Sequence, residues 1–196
     1  KLFGPDGLKL SDKIEKKIEK LIDAKIKNNL SKPDILGRVK RLEDANDRYI
    51  EILKSNFPST FSLKGIRIAI DCANGAGYKS GPKLLSSLGA KVYDIGVSPN
   101  GLNINDKCGS VHPQHMAELV TMHNADLGIA LDGDADRVVL ADASGNVVDG
   151  DGMLYVLGVY GQKNPRVADG IVGTVMTNLG LELACQKYGI AFERSN

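Results

Sequence analysis

The sequence predicts an α/β fold with mixed, largely parallel sheets flanked by helices. Three observations lead to this fold class: short runs rich in β-branched residues, helical segments of about ten residues between them, and turn residues at the junctions. Parallel strands need crossover connections, and helices of this length supply them. Apolar residues make up 42% of the 196 residues and charged residues 25%, which excludes a disordered or collagen-like chain.

The first 44 residues are predicted to form a short hairpin and a helix. Turn residues at positions 4–7 separate two short extended stretches, which is typical of a hairpin. Asp12 and Glu15 have the spacing of a helix N-terminus. Apolar residues then recur at helical spacing, at Ile14, Ile18, Leu21 and Ile22. Pro33 interrupts this pattern, so a helix is expected before it.

A second helical pattern precedes the main run of strands. Its apolar positions are Leu42, Ala45, Tyr49, Ile52 and Leu53. Pro58 cannot continue a helix, so the segment ends before it. The pattern predicts a helix that connects two domains.

Strands and helices alternate from Lys64 onward. Between Lys64 and Val148, the predicted helices are 82–88 and 113–123, and the predicted strands are 66–70, 91–95, 125–131, 137–141 and 147–148. A turn at 144–146 joins the last two strands as a hairpin. A second α/β unit is predicted from helices at 153–160 and 179–188 and strands at 170–175 and 190–193.

Charge and cysteine usage exclude several classes of protein. Lys and Arg number 25 and Asp and Glu 24, so no global field is expected to attract nucleic acid or anionic lipid. No apolar run approaches the roughly 18 residues that span a bilayer. The three cysteines form no Cys-x-x-Cys motif, which favours a reducing, cytoplasmic location. Because Lys1 is not preceded by a methionine or a signal-like stretch, a piece of a longer protein is expected.

An acidic motif directly follows the predicted strand at 125–131. Asp132, Asp134 and Asp136 alternate with two small residues, and Arg137 comes next. Three carboxylates so close together repel one another and need a compensating cation, and hard oxygen ligands suit Mg²⁺. In an open α/β sheet, this end of a parallel strand is where ligands bind. The motif therefore predicts a magnesium site, with an acidic surface turn as the alternative.

Two other types of site can be tested against the same spacing. A calcium EF-hand loop that began at Asp132 would need glycine at its sixth position and glutamate at its twelfth. Those positions hold Arg137 and Ala143, so this alternative fails. A haloacid-dehalogenase-like phosphatase would use Asp132 as nucleophile and Asp134 as a second carboxylate. Its usual threonine is absent, and this hypothesis stays as the runner-up.

The glycine-rich stretch at 71–77 permits two interpretations. Its backbone amides could hold a phosphate at a helix N-terminus, or the stretch could be a structural tight turn, which the glycine spacing favours. Cys72 and Cys108 lack an activating partner and are expected to be buried rather than nucleophilic. His112 and His115 are expected at a helix cap or on the surface.

These motifs together resemble the α-D-phosphohexomutase superfamily. The resemblance rests on the motif from Asp132 to Arg137, which matches the metal loop of that superfamily, and on the stretch at 71–77. Residues 99–105, 108–110 and 172–182 narrow it to the bacterial phosphoglucosamine mutases. The resemblance covers essentially all 196 residues.

The resemblance implies a place for this chain within a four-domain protein. Residues 1–44 would be the end of the first domain, 45–146 the second, metal-binding domain, and 147–196 the start of the third. The phosphoserine loop of the family, Ser-His-Asn-Pro, is expected upstream of Lys1, and the loops that read the sugar and bind its phosphate are expected after residue 196. The chain by itself is therefore expected to be inactive.

The resemblance also implies an activity and roles for individual residues. The full-length protein would be an isomerase that interconverts glucosamine 6-phosphate and glucosamine 1-phosphate through a bisphosphorylated intermediate, in amino-sugar metabolism that supplies a cell-wall precursor. Asp132, Asp134 and Asp136 would hold Mg²⁺, Arg137 would pair with the phosphate, and Lys1 would assist proton transfer. The implied partners are a phosphosugar substrate and a bisphosphate activator. A phosphomannomutase or phosphoglucomutase, and a non-catalytic metal-binding scaffold, remain alternatives.

Overall fold

The computed structural model describes residues 2–24, 30–163 and 170–195. The chain divides into two compact units, Lys1–Leu42 and Glu43–Asn196.

The described residues of the first unit form a closed turn and one α-helix. A single antiparallel bridge joins Phe3 to Lys9 around the predicted turn, so the expected hairpin is limited to one bridge. Helix α1 spans Asp12–Asp23, as predicted, and Ser11 occupies the position before it. Asp12 lies in the first turn, where a negative charge favours the positive end of the helix dipole. A short 3₁₀ turn follows at Pro33–Ile35.

A five-stranded mixed sheet forms the centre of the second unit. The strands are β1 Arg67–Asp71, β2 Lys91–Ile95, β3 Leu127–Leu131, β4 Val138–Ala141 and β5 Val147–Val148. Their order across the sheet is β2-β1-β3-β4-β5. The first three strands are parallel, and β4 and β5 are antiparallel to their neighbours. The prediction of a mixed, largely parallel sheet is confirmed.

Helices connect the parallel strands and precede the sheet. They are α2 Ala45–Asn56, α3 Ser80–Ser87 and α4 Gln114–His123. The helix expected to connect two domains is α2, and it lies at the start of the second unit, packed against α3. Ile50 is its buried residue, and Asp47 forms an ion pair with Lys83 of α3.

A smaller α/β layer follows the sheet. It consists of α5 Gly150–Lys163, β6 Gly170–Gly173, α6 Leu179–Tyr188 and β7 Ala191–Arg194. Strands β6 and β7 are parallel, and a cluster of Ile171, Leu181, Cys185 and Ile190 packs them against the helices. The α/β unit predicted at 153–193 is therefore present. Within the described ranges, no helix is both long and apolar enough to cross a membrane.

The main core lies between the sheet and α4. Its buried members are small or flexible: Ala69, Met116, Val120, Ala125, Ala130 and Ala141. Gly128 of β3 lets the helix approach the sheet closely, because a Cβ atom there would lie 2.1 Å from Met116 Sδ and 2.7 Å from Val120 Cγ2. The close approach of α4 to β3 therefore depends on glycine, which has no side chain, at position 128.

Gly128→Ala should therefore overpack this core. We expect the free energy of unfolding to fall by about 2 kcal/mol, since extra methyl groups in packed cores force neighbours out of their preferred positions. Denaturant titration measures the change. Gly150→Ala is the control, because a Cβ atom at this first residue of α5 meets nothing within 4 Å. An unchanged midpoint for Gly128→Ala would contradict the prediction.

An ion pair joins the starts of β1 and β3 at the amino edge of the sheet. The carboxylate of Asp126 accepts hydrogen bonds from Arg67 Nη2 at 2.9 Å, Arg67 Nε at 3.2 Å and the Arg67 backbone amide at 2.8 Å. The hydrogen bonds from Arg67 lower the pKa of Asp126 from its ordinary 3.8 to about 2. The ionised carboxylate is thus favoured in the folded protein.

This lowered pKa predicts a pH-dependent contribution to stability. Because the folded-state pKa lies below the unfolded one, the contribution is present above about pH 4 and is lost as the pH falls towards 2. Asp126→Asn should lower the unfolding temperature at pH 6 and have a much smaller effect at pH 2. In an Arg67→Gln background, the effect at pH 6 should shrink, because only the backbone amide of residue 67 then still donates to the carboxylate. An equal difference at both pH values in the otherwise unchanged protein would refute the assignment.

Candidate metal centre

The predicted metal ligands lie at the carboxyl edge of the sheet. Strands β1 and β3 are parallel neighbours, and β2 lies on the other side of β1. From β1 the chain adds β2 on one side and then returns to add β3 on the other, so the strand order reverses between β1 and β3. Open α/β sheets bind ligands at such a switch point. The loop at 132–137, called the metal loop below, connects β3 to β4 at this edge.

Three carboxylates of the metal loop converge. Asp132, Asp134 and Asp136 each offer one oxygen, and these oxygens all lie within 4.8 Å of one another. Asp132 is buried, while the other two carboxylates are exposed to solvent. Three hard oxygen donors, two of them open to solvent, fit a divalent cation such as Mg²⁺. The predicted grouping of these side chains is present in the structure.

The two strands that flank the metal loop are paired with each other, so both ends of the loop are fixed. Leu131 and Val138, which flank the loop, are partners in the antiparallel register of β3 and β4. Inside the loop, the Ala135 amide donates to the Asp132 carbonyl at 3.1 Å. Ala135 has a φ of +57°, in the left-handed region that alanine seldom adopts. A tight turn therefore folds the alternating carboxylates towards one another.

Arg137 holds the buried carboxylate of Asp132. Its Nη2 and Nε donate to Asp132 Oδ2 at 2.9 and 3.1 Å. The backbone amides of Asp136 and Arg137 donate to Asp132 Oδ1 at 3.1 and 3.0 Å. Burial alone would raise the pKa of Asp132, but the hydrogen bonds and charge of Arg137 outweigh it and lower that pKa. Asp132 is thus kept ionised and fixed in orientation.

The position of Arg137 refines the role expected for it. Its guanidinium fork engages a protein carboxylate, and its side chain remains 66% exposed. Arg137 Nε also lies 3.7 Å from Asp136 Oδ1. The structure therefore places Arg137 as the partner of two metal-loop carboxylates, and its pairing with a phosphate stays a prediction.

The glycine-rich turn after β1 supports the metal loop. Its amide groups at Ala73, Asn74, Gly75 and Ala76 donate to Asp71 Oδ1 and to the carbonyl oxygens of Gly96, Cys72 and Gly133. Because these donors are already used within the protein, the structural interpretation of this turn fits better than a phosphate cradle. Gly75 itself packs against the loop, since a Cβ atom there would lie 2.2 Å from the Gly133 carbonyl oxygen.

Two protein-family models match this chain. The family model "Phosphoglucomutase/phosphomannomutase, alpha/beta/alpha domain II" matches residues 47–145, and the corresponding model for domain III matches residues 149–196. The chain belongs to the phosphoglucomutase/phosphomannomutase family. This membership sets aside the haloacid-dehalogenase alternative, and it confirms the resemblance to the α-D-phosphohexomutases.

Relatives within this family point to one branch. The chain is 58% identical over all 196 residues to a phosphoglucosamine mutase of Pelagibacter ubique and 52% identical to one of Caulobacter vibrioides. It spans 44% of the length of each of these curated relatives. The narrower resemblance to the bacterial phosphoglucosamine mutases is therefore confirmed.

Solved structures of phosphohexomutases have the same fold. A putative phosphomannomutase from Thermus thermophilus superposes with a TM-score of 0.65 at 18% identity, over 96% of this chain and 43% of that one. A phosphoglucomutase/phosphomannomutase family protein from Burkholderia thailandensis gives 0.64 at 19% identity, over 95% and 38%. At this level of identity, the similarity extends to the fold alone.

The remaining sequence-based assignments have different outcomes. Cys72 and Cys108 are buried, and burial raises the pKa of Cys72 to about 12, so the expectation that they are not nucleophiles agrees with the structure. His112 and His115 are exposed, as expected for surface residues. Lys1, the residue proposed to assist proton transfer in this family, lies outside the described residues.

One buried carboxylate of the glycine-rich turn was not predicted to have a role of its own. Asp71 ends β1 and is fully buried, whereas its motif by itself predicts only a tight turn or a phosphate-binding turn. The available signal was its position, because a carboxylate at the end of a strand with buried apolar neighbours must find hydrogen-bond donors.

Proposed function

We propose that the full-length protein is a phosphoglucosamine mutase, an isomerase that interconverts glucosamine 6-phosphate and glucosamine 1-phosphate. The observation that carries this proposal is the cluster of three carboxylate oxygens within 4.8 Å at the carboxyl end of β3, in a chain whose relatives are phosphoglucosamine mutases. Phosphoryl transfer depends mainly on positioning and charge neutralisation, and such a cluster serves both.

Asp132, Asp134 and Asp136 would hold Mg²⁺ in this enzyme. The bound ion would offset negative charge on the phosphoryl oxygens during transfer. The chain itself supplies the arrangement: the hydrogen bonds from Arg137 keep Asp132 ionised and oriented, while the other two carboxylates face solvent. Phosphosugar binding would bring the transferred group to this exposed side.

Two further roles follow from the family resemblance. Arg137 is 66% exposed and could direct donors of its guanidinium towards a phosphate while its fork holds Asp132. Lys1 would assist proton transfer at the sugar hydroxyl. A phosphoserine and a bisphosphate activator would complete the reaction in the full-length protein.

The proposed domain division assigns residues 1–44 to the end of the first domain, 45–146 to the second and 147–196 to the start of the third. The match of family domain II to residues 47–145 and of domain III to 149–196 supports this division. The metal loop then belongs to the second domain.

A substrate-comparison assay tests the proposed function. The full-length protein is incubated with Mg²⁺, a catalytic amount of sugar bisphosphate, and glucosamine, glucose or mannose 6-phosphate. Preferred turnover of glucosamine 6-phosphate, abolished by EDTA, is the expected result. Preference for glucose or mannose 6-phosphate would indicate a sister mutase, and failure to take up phosphate from the bisphosphate would indicate a non-catalytic scaffold.

A further inference from the structure

Asp71 is a fully buried carboxylate that joins two loops at the carboxyl edge of the sheet. Its Oδ1 accepts a hydrogen bond from the Ala73 amide at 2.8 Å, and its Oδ2 accepts one from the Gly109 amide at 2.7 Å. Gly109 is 38 residues further along the chain, in the loop that follows β2. Each of its two oxygens accepts a backbone amide from a different loop, so the Asp71 side chain connects the two loops.

The first of these loops contacts the middle of the metal loop. The Ala76 amide donates to the Gly133 carbonyl at 2.8 Å, and Gly75 packs against the same carbonyl. Ala73 and its neighbour Asn74 have φ values of +54° and +48°, a left-handed conformation that needs local support. The hydrogen bond from the Ala73 amide to Asp71 supplies such support, and the turn in turn positions Gly133.

The second loop contacts the end of β3, directly before the metal loop. The Ser110 amide donates at 2.9 Å to the carbonyl of Leu131, the residue directly before Asp132. Gly109 lies so close that a Cβ atom there would be 2.5 Å from the same carbonyl oxygen. The two loops that Asp71 joins therefore contact the carbonyl groups on either side of Asp132, those of Leu131 and Gly133.

We infer that Asp71 is a positioning residue of the metal centre, acting through these two loops on the backbone of the metal loop. This inference rests on the proposed function, because it concerns the same Mg²⁺ site. Among the described residues, the carboxylates whose oxygens converge are Asp132, Asp134 and Asp136, so Asp71 is assigned a role behind the ligands rather than among them. Its effect is on the placement of the oxygens that bind the ion.

The test measures Mg²⁺ affinity of the full-length protein by calorimetric titration. Asp71→Asn replaces one acceptor oxygen with an amide group that faces a backbone donor, so one of the two hydrogen bonds is lost. We expect the Kd for Mg²⁺ to rise about tenfold, the size of effect seen when partners behind metal ligands are changed. The Mg²⁺ concentration for half-maximal mutase activity should rise by the same factor, and excess Mg²⁺ should restore turnover.

A second variant and a matched control keep the test decisive. Asp71→Ser retains an acceptor for the Ala73 amide but cannot also reach Gly109, and it decides the question if Asp71→Asn does not fold. Asp142→Asn makes the same chemical change at a similar turn, where the carboxylate accepts the Ser144 and Asn146 amides, each at 2.9 Å, at the far end of β4 from the metal loop. It should leave the Kd for Mg²⁺ unchanged.

Each result bears directly on the inference. A tenfold weaker Kd in the Asp71 variants, with Asp142→Asn unchanged, supports it. A lower unfolding temperature with unaltered Mg²⁺ affinity would make Asp71 merely structural and overturn the inference, while leaving the proposed function intact. A wild-type protein that binds no Mg²⁺ would overturn both, so the wild-type titration separates the two failures.

Discussion

Asp134→Ala in the full-length protein should lower mutase turnover by roughly a thousandfold, equivalent to about 4 kcal/mol of lost transition-state stabilisation. The substitution removes one of the three carboxylates that converge in the metal loop. Metal binding weakens as a result, and negative charge on the transferred phosphate is less well compensated. Turnover with glucosamine 6-phosphate at saturating Mg²⁺ is the measurement.

Stability should respond differently from activity in this variant. Asp134 is exposed, and it shares a small space with two other anions, so its removal in EDTA should leave the unfolding temperature unchanged or slightly higher. Asp94→Ala, at an exposed carboxylate of β2, is the control and should retain turnover. Near-normal turnover of Asp134→Ala at saturating Mg²⁺ would show that this carboxylate is not a catalytic metal ligand.

Asp132→Ala should abolish activity to a similar degree and also destabilise the protein. The structure distinguishes Asp132 from the other two aspartates, because it is 1% exposed and accepts two backbone amides as well as Arg137. Leaving those amides without an acceptor should lower the free energy of unfolding by about 2 kcal/mol, even in EDTA. Because Arg137 remains largely hydrated, it adds little to this loss.

A paired variant separates the two contributions of Asp132. Asp132→Asn retains an acceptor for the backbone amides but removes the charge that the metal and Arg137 need. We expect its stability to lie between those of the wild type and Asp132→Ala, with turnover as low as that of the alanine variant. Equal stability of Asp132→Ala and Asp134→Ala in EDTA would show that burial of Asp132 has no energetic consequence.

Local sequence patterns were sufficient to predict the regular elements of this fold. The strand expected at 91–95 is β2 at Lys91–Ile95, and the helix expected at 179–188 is α6 at Leu179–Tyr188. Both are bounded by turn residues whose conformational preferences are local. The helix expected at 153–160 extends over Gly150–Lys163, because packing against α6 stabilises turns that the apolar pattern alone did not indicate.

The candidate site was only partly predictable, because part of it depends on contacts between residues that are far apart in the sequence. The alternation of Asp132, Asp134 and Asp136 within five residues carries its own chemical meaning, and these side chains converge as expected. The link between Asp71 and Gly109 spans 38 residues and depends on which loops the sheet order brings together. No periodic pattern encodes such a contact, so its role became visible only in the structure.

The pairing of Leu131 with Val138 has a thermodynamic consequence for ion capture. A loop whose two ends are already fixed to each other by a β-ladder loses little conformational freedom when an ion enters it. Ion binding is then driven by electrostatic attraction and release of water rather than coupled to folding of a segment. Such binding should show a small heat-capacity change and a marked dependence on ionic strength, the opposite of the behaviour of sites that become ordered around their metal.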